Sequence, residues 1–339
     1  MNIRQKMLLG AAALTLIPVA LTSLLLWQGA SNLSSTTVGE QVRTQLISLR
    51  ETKRVQVREE LEERIKSVRV LAAQRSTIDA YKQFKTSFYS AGADLSKTVE
   101  TTAATKNLNE YIGSYFNNEY AKRNPNAAPP LTALVADLGV NAIALQTVFT
   151  VDNPNPLGLK EQLDTPPVDF AYGRAHAQFH PGFETAQKIS GYYDIFLIDP
   201  ESDTIIYTVF KELDFGTKLT GNSISAKTKL AEAYQKVKES KAGTTYLTDF
   251  APYLASYDDQ AAFVAVPIYD GIKQIGVLAI QYPIEKLTEI MAPSKSWKSI
   301  GLGDSGDIFL VGNDKLMRTN ARYLQEDKAA FVKIGRAHV

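Results

Sequence analysis

The stretch GYYDIFLIDPESDTIIYTVFKELDFGT, residues 191–217, holds two strand-like runs around a polar turn. Residues 192–198 are dense in aromatic and β-branched side chains. Asp199-Pro200-Glu201-Ser202-Asp203 interrupts them, and residues 204–211 resume the same chemistry. This is the pattern of a β-hairpin. Further strands are expected at 244–249, 261–269 and 274–282, with a helix at 225–240. The turn Tyr269-Asp270-Gly271-Ile272-Lys273 joins the last two strands, and its Asp-Gly pair suits a tight bend. Five antiparallel strands with a helical insert, laid against a long helix, predict an α+β domain with a one-sided sheet.

The long helix lies upstream. Apolar residues recur at Val42, Leu46, Leu49, Val57, Leu61, Ile65, Val68, Leu71, Ile78, Tyr81, Phe84 and Phe88, with gaps mostly of three and four. That spacing marks one helical face. Neither Gly nor Pro interrupts residues 40–90, a stretch that would reach about 75 Å as one helix. Two helices bent near Gln74-Arg75-Ser76 are the alternative. Either way the segment is a stalk or spine, suited to pairing with a second copy. Helix is also expected at 95–120 and 170–189, with an interruption or kink at Pro181-Gly182, and 141–151 leans to helix.

At the N-terminus, residues 7–27 (MLLGAAALTLIPVALTSLLLW) are uncharged and apolar for the length of a membrane-spanning helix. Arg4 and Lys6 precede it, so the N-terminus is expected in the cytoplasm and residues from about 28 onward outside. A cleaved signal peptide is the alternative. At the other end, GLGDSGDIFLVGNDKLMRTN repeats the strand, turn and strand of the opening stretch in miniature. It reads as the start of a second copy of the same fold. The last six residues, IGRAHV, match the in-frame translation of a common sequencing adapter and are expected not to be protein sequence, so the gene is expected to continue past Lys333.

Composition narrows the chemistry. The chain has 339 residues, a formal net charge of +1 and no cysteine. There is no basic run with interleaved aromatics to hold nucleic acid. Disulfides, thiolate metal sites and cysteine nucleophiles are excluded. G-x-S-x-G and phosphate-binding glycine loops are missing, so neither catalysis nor a cofactor is expected. His176 and His180 stand four apart, as zinc ligands on a helix do, but Ala177 follows the first where H-E-x-x-H needs glutamate.

The order of parts resembles the double-Cache extracytoplasmic sensor family. The residues that carry the resemblance are GYYDIFLID (191–199), KELDFGT (211–217), LTDFAPY (247–253), FVAVPIYDG (263–271), IGVLAIQYP (275–283) and GLGDSGDIFLV (301–311). LISLRETKRVQVREELEERI (46–65) and STIDAYKQFKTSF (76–88) look like chemotaxis receptors that use this sensor. The resemblance implies a cytoplasmic N-terminus (1–6), a membrane helix (7–27) and a spine helix (28–90). A helical and loop region (91–190), a distal PAS-like sheet domain (191–291) and the beginning of a proximal one (292–333) follow. It implies the ligand-sensing region of a bacterial inner-membrane chemoreceptor, periplasmic and dimeric through the spine, with no enzymatic activity. The sensor half of a histidine kinase or nucleotide cyclase is the alternative output.

The same resemblance implies a ligand between the sheet and the elements over it. Candidate residues are Tyr172, Arg174, His176 and His180 before the first strand, Tyr193 on it, and Asp249, Tyr253 and Tyr257 in and after LTDFAPY. In amino-acid-binding members a Tyr/Arg/Trp/Tyr set and a later Asp hold carboxylate and amine. Asp249 resembles that Asp, but the Arg-x-Trp-Tyr run is missing, and His180-Pro181-Gly182-Phe183 stands in its place. An Arg fork suits a carboxylate and an Asp suits an ammonium, so the ligand is expected to be a carboxylate, an amine or an amino acid. For each residue a structural role stands beside this one: a surface salt bridge for Arg174, a turn or cap for Asp249, core packing for the tyrosines, and structural hydrogen bonding for the histidines.

Overall fold

A computed structural model describes residues 3–124, 127 and 132–331. They fall into two compact units. One comprises residues up to Gln56 with Ser296–Ile308, and the other comprises Val57–Lys295 with residues from Phe309 onward. In the first unit Trp297 is buried, Lys298 pairs with Asp304 at 2.5 Å, and the chain turns at Gly301.

Helix α1 spans Ile3–Ala73 and α2 spans Arg75–Asp94. Gln74 between them is extended (φ −65°, ψ 139°), so the bent alternative at Gln74 holds and a single unbroken helix does not. Helices α3 (Thr101–Tyr115), α4 (Ala121–Arg123), α5 (Thr132–Ala136) and α6 (Val140–Gln146) follow. Wide five-residue turns extend α3 at Phe116–Tyr120 and α6 at Thr147–Val151. Helix α7 (Ala171–Ser190) continues past Pro181 without the expected interruption and ends at Gly191, whose φ of 66° is the left-handed cap that glycine adopts without cost.

The sheet contains β1 (Asp194–Asp199), β2 (Thr204–Thr208), β3 (Tyr246–Leu247), β4 (Ala251–Tyr253), β5 (Asp259–Asp270) and β6 (Lys273–Pro283). Its order is β2-β1-β6-β5-β3, with β4 also on β5, and every pairing is antiparallel. Helix α8 (Lys229–Val237) lies in the sequence between β2 and β3, and α9 (Ile284–Met291) and α10 (Arg322–Glu326) follow the sheet.

The sheet is not one-sided. Every residue of β1 and β2 is buried. Phe196, Ile198, Ile205, Phe263 and Val277 on one face pack with Leu230, Tyr234 and Val237 of α8. The other face is covered by α2 and α7. Ile78, Tyr81, Phe84, Phe88 and Ala91 all point inward from α2, as their spacing dictates. Phe84 stacks on Tyr207 of β2 at 4.5 Å and meets the tilted Tyr172 ring of α7 at 5.1 Å. A fully buried Phe of this kind contributes roughly 1.5–3 kcal/mol. Asp199 at the end of β1 ties α2 to the sheet: it accepts from Tyr81 at 3.2 Å and Tyr89 at 2.5 Å, and pairs with Lys85 at 3.0 Å. Burial opposes its charge, but these bonds outweigh it and hold its pKa below the usual range.

The strand, turn and strand expected at residues 301–320 form only one antiparallel bridge, Val311 to Met317, among the described residues. Most of the expected membrane span, at 7–18, falls where side chains lie outside the described residues. Among the described residues no helix is long and apolar enough to cross a membrane. The residues IGRAHV (334–339) also lie outside the described residues.

Candidate functional site

The last residues of β6, the first of β1 and the loop after β2 meet beyond one end of the sheet. Asp194 and Gln281 face each other in register, on the same face as Phe196 and Phe263. One carboxylate oxygen of Asp194 accepts from the backbone N–H of Val209 at 2.8 Å and Phe210 at 3.1 Å, which turns the chain out of β2. That turn carries Lys211-Glu212-Leu213-Asp214 back over the face. Glu212 accepts from Tyr193 at 2.9 Å and from Ser256 at 3.3 Å. Asp214 accepts from Tyr253 at 2.5 Å, and Gln281 donates to Ser256 at 2.9 Å. Tyr193, Glu212, Ser256 and Gln281 thus form one hydrogen-bonded chain, with the Asp214–Tyr253 pair and the backbone-bonded Asp194 beside it, and the three acids feel one another's charge.

The cluster is short of donors. Asp194 Oδ2, Asp214 Oδ1 and Gln281 Oε1 are buried with no hydrogen-bond partner. Burial, then the charges of the neighbouring acids, pushes the Asp194 and Glu212 carboxyls well above the usual range. Burial raises Asp214 to about 6 against its bond from Tyr253. Lys211 is fully buried but donates to the Thr208 carbonyl and sits over the Tyr207 ring at 4.2 Å, and burial lowers it to about 7. Lys211, Tyr257 and Asp258 hold left-handed backbone with φ near 60°. Such strain in non-glycine residues gathers at ligand clamps and switches.

Two small cavities adjoin the cluster. One of ≈ 20 Å³ is lined by Leu213, Asp214, Ile224, Ser225, Thr228, Tyr253, Leu254 and Ala255. The other, ≈ 10 Å³, lies beside Tyr111, Tyr115, Lys160, Lys211 and Glu212. Tyr257 stacks at 4.9 Å on Tyr115, which lines this cavity, and the Arg123 guanidinium lies 4.1 Å from the Tyr257 ring.

The structure therefore brings together Tyr193, Tyr253 and Tyr257 of the expected set, and not the others. Arg174 is exposed and pairs with Asp169 at 2.5 Å, because it sits on the outer side of α7. Asp249 is held by Arg318 through two bonds of 2.7 and 2.8 Å, which lowers its pKa, and does not join the cluster. Tyr172 is core, donating to the Ile206 carbonyl at 2.8 Å. His176 and His180 stack at 4.1 Å beneath α7. His180 Nε2 donates to the Glu161 carbonyl at 2.6 Å, which leaves Nδ1 to accept from Tyr207 at 2.8 Å. His176 Nδ1 donates to the Asp164 carbonyl at 2.9 Å. Both rings are neutral: burial, then the Lys211 charge, pushes His180 down to about 3 and His176 well below its ordinary value.

Asp194, Glu212, Asp214 and Gln281 were not expected as site residues. A signal existed in KELDFGT, where two acids alternate with Leu213 and Phe215 in an otherwise apolar setting, and in Asp194, an acid inside an apolar strand.

No protein-family model matches the chain, and no curated protein does. Solved structures similar to it are sensor domains. The Escherichia coli DcuS sensor domain is 22% identical, over 32% of this chain and 67% of that one, with a TM-score of 0.23. The ligand-binding domain of the Pseudomonas fluorescens chemoreceptor CtaA with L-serine is 13% identical, over 64% and 71%, at 0.27. The sensory domain of the Campylobacter jejuni chemoreceptor Tlp3 is 13% identical, over 73% and 76%, at 0.28.

Proposed function

We propose that this chain is the extracytoplasmic ligand-sensing region of a bacterial transmembrane chemoreceptor of the double-Cache kind. The observation that carries this is the donor-poor, strained polar cluster at the end of an antiparallel sheet, next to two small cavities. Unmatched buried polar atoms cost stability unless a ligand or water meets them.

The membrane anchor is residues 7–27. The apolar run supports it, and so do Leu24, Leu25, Leu26 and Trp27, which lie exposed on α1. The apolar face of α1 suits a second copy, and residues 292–333 begin the proximal domain. Ligand closure reaches α1 through contacts in its C-terminal part: Arg64 donates to the Ser190 carbonyl at 2.9 Å, Glu60 accepts from Tyr282 at 3.0 Å, and Ser67 bonds Tyr192. A ligand shifts this coupling only by its differential affinity for two states.

Thermal-shift screening of the chain against amines, carboxylates and amino acids tests the reading. A saturable rise in melting temperature with one class is expected, and silence from all three removes it. The alternative is the sensor region of a membrane histidine kinase or nucleotide cyclase. Reading the transcript past Lys333 separates them: a Glu/Gln/Ala-rich helical hairpin means chemoreceptor, and an H-box with an ATP-binding domain means kinase.

A further inference from the structure

The cavity beside Tyr111 and Lys160 differs in character from the acid cluster, because its unmet polar groups can donate. Tyr111 Oη and Thr150 Oγ1 are both buried with no hydrogen-bond partner, and both residues line this one cavity. Thr150 is 2% exposed on the wide turn after α6, and Tyr111 stands on α3. Lys160 lines the same cavity, is 7% exposed, and gives one N–H to the Asn153 carbonyl at 2.7 Å. Its ammonium lies 5.6 Å from the centre of the Tyr111 ring, and no acid pairs with it among the described residues. Burial opposes its charge. Lys211 adds a second buried lysine to the wall, held on the Thr208 carbonyl. Glu212 is the acid on this wall, and burial with the charges of Asp214 and Asp194 keeps its proton on.

We infer that Lys160, Tyr111 and Thr150 form the seat of a small organic carboxylate that carries no amine. This rests on the sensor reading above and names its ligand class. Lys160 spends one of its three N–H groups on Asn153, and the two hydroxyls bring one O–H each, so about four donors face the roughly four lone-pair sites of a carboxylate. A buried ammonium without an anion is costly, and an arriving carboxylate offsets that cost with charge-assisted bonds. An amine on the ligand would place a further cation beside two lysines, with Glu212 protonated. Leu157, Phe210 and Leu213 on the same wall give alkyl carbon its surface and would face the outer oxygens of a phosphate with nothing to donate. The cavity is ≈ 10 Å³, the space of about one water-sized group, so as it stands it admits one carboxylate oxygen. The rest of the ligand enters by displacing residues 154–159. This loop is pinned at its neck, where Asn153 donates to the Phe149 and Lys160 carbonyls at 2.9 Å each and Lys160 donates back to Asn153. Leu157 and Gly158 line the cavity and are partly exposed, and no atom stands within 4 Å of where a Gly158 side chain would be. The cation of the seat therefore also closes the neck of its lid.

The test is isothermal titration calorimetry on the full chain, at matched pH and ionic strength, with sodium propionate, L-alanine, n-propylammonium chloride and sodium phosphate. Saturable binding of propionate is expected, about tenfold or more tighter than that of L-alanine, which is propionate with an ammonium added. Tyr111→Phe and Thr150→Val should each weaken propionate by about tenfold, the worth of one hydrogen bond to a charged group. Neither hydroxyl has a partner to lose in the free chain, so neither variant should lower its melting temperature, and a fall in affinity then reports the ligand contact. Unchanged affinity in either folded variant, or propionate and phosphate bound alike, overturns the assignment. Alanine or propylammonium binding without propionate overturns it while leaving the sensor reading intact. Silence from all four overturns both.

Discussion

Replacing His180 with Gln makes the stability of this domain less sensitive to acid, and the size of the change can be worked out. His180 is buried against Tyr207, with its Nε2–H on the Glu161 carbonyl. Its pKa falls from the ordinary 6.5 to about 3. The unfolded chain therefore binds more protons at this ring than the folded chain throughout that window. The stability that neutral His180 supplies is present above pH 6.5 and is lost as pH falls toward 3. Integrated from pH 7 to pH 5, the difference in proton uptake is about 2 kcal/mol. Total stability will not show this cleanly. Asp214, raised to about 6, runs the other way and stabilises the fold as it takes its proton. The comparison with His180→Gln removes that background. At pH 7 the variant should be less stable by ~1–3 kcal/mol, because its amide cannot satisfy both partners equally well. By pH 5 the gap should narrow by about 2 kcal/mol. Urea unfolding followed by near-ultraviolet circular dichroism of the buried tyrosines, at pH 5, 6 and 7, measures it. A gap that stays constant or widens on acidification would mean that His180 is charged or hydrated in the folded chain.

Two further substitutions test the packing that carries the site. Gly276 on β6 faces the Tyr81 ring, and an added Cβ would lie 2.3 Å from it. Gly276→Ala should cost about 1–3 kcal/mol in urea unfolding, and a neutral outcome would mean that α2 does not press on the sheet there. Phe84→Ala removes a ring shared by α2, α7 and β2. A loss of about 3–5 kcal/mol is expected, read as a shift in urea midpoint, and a loss under ~1 kcal/mol would contradict the described core.

The strands, the Asp-Gly hairpin and the inward face of α2 were legible in the sequence. Each follows from a local rule: alternation, turn chemistry, or three-and-four spacing over a few residues. Strand β4 is only three residues long and was missed, as were the wide turns after α3 and α6, because nothing in their composition sets them apart from helix or loop. Local rules also cannot say what covers a face, so the sheet read as one-sided until α7 was seen on it.

The partners of charged groups were not legible. Asp249 was expected at the ligand and Arg174 beside it, yet Asp249 meets Arg318, 69 residues away, and Arg174 turns out to solvent. Sequence alone set which residues make strands and helices, since those preferences act between near neighbours. Which acids ended up buried without donors was decided only when β1 paired with β6 and the loop after β2 folded over their ends. Burial and electrostatic environment are properties of distant chain segments brought together, and no window of sequence contains them.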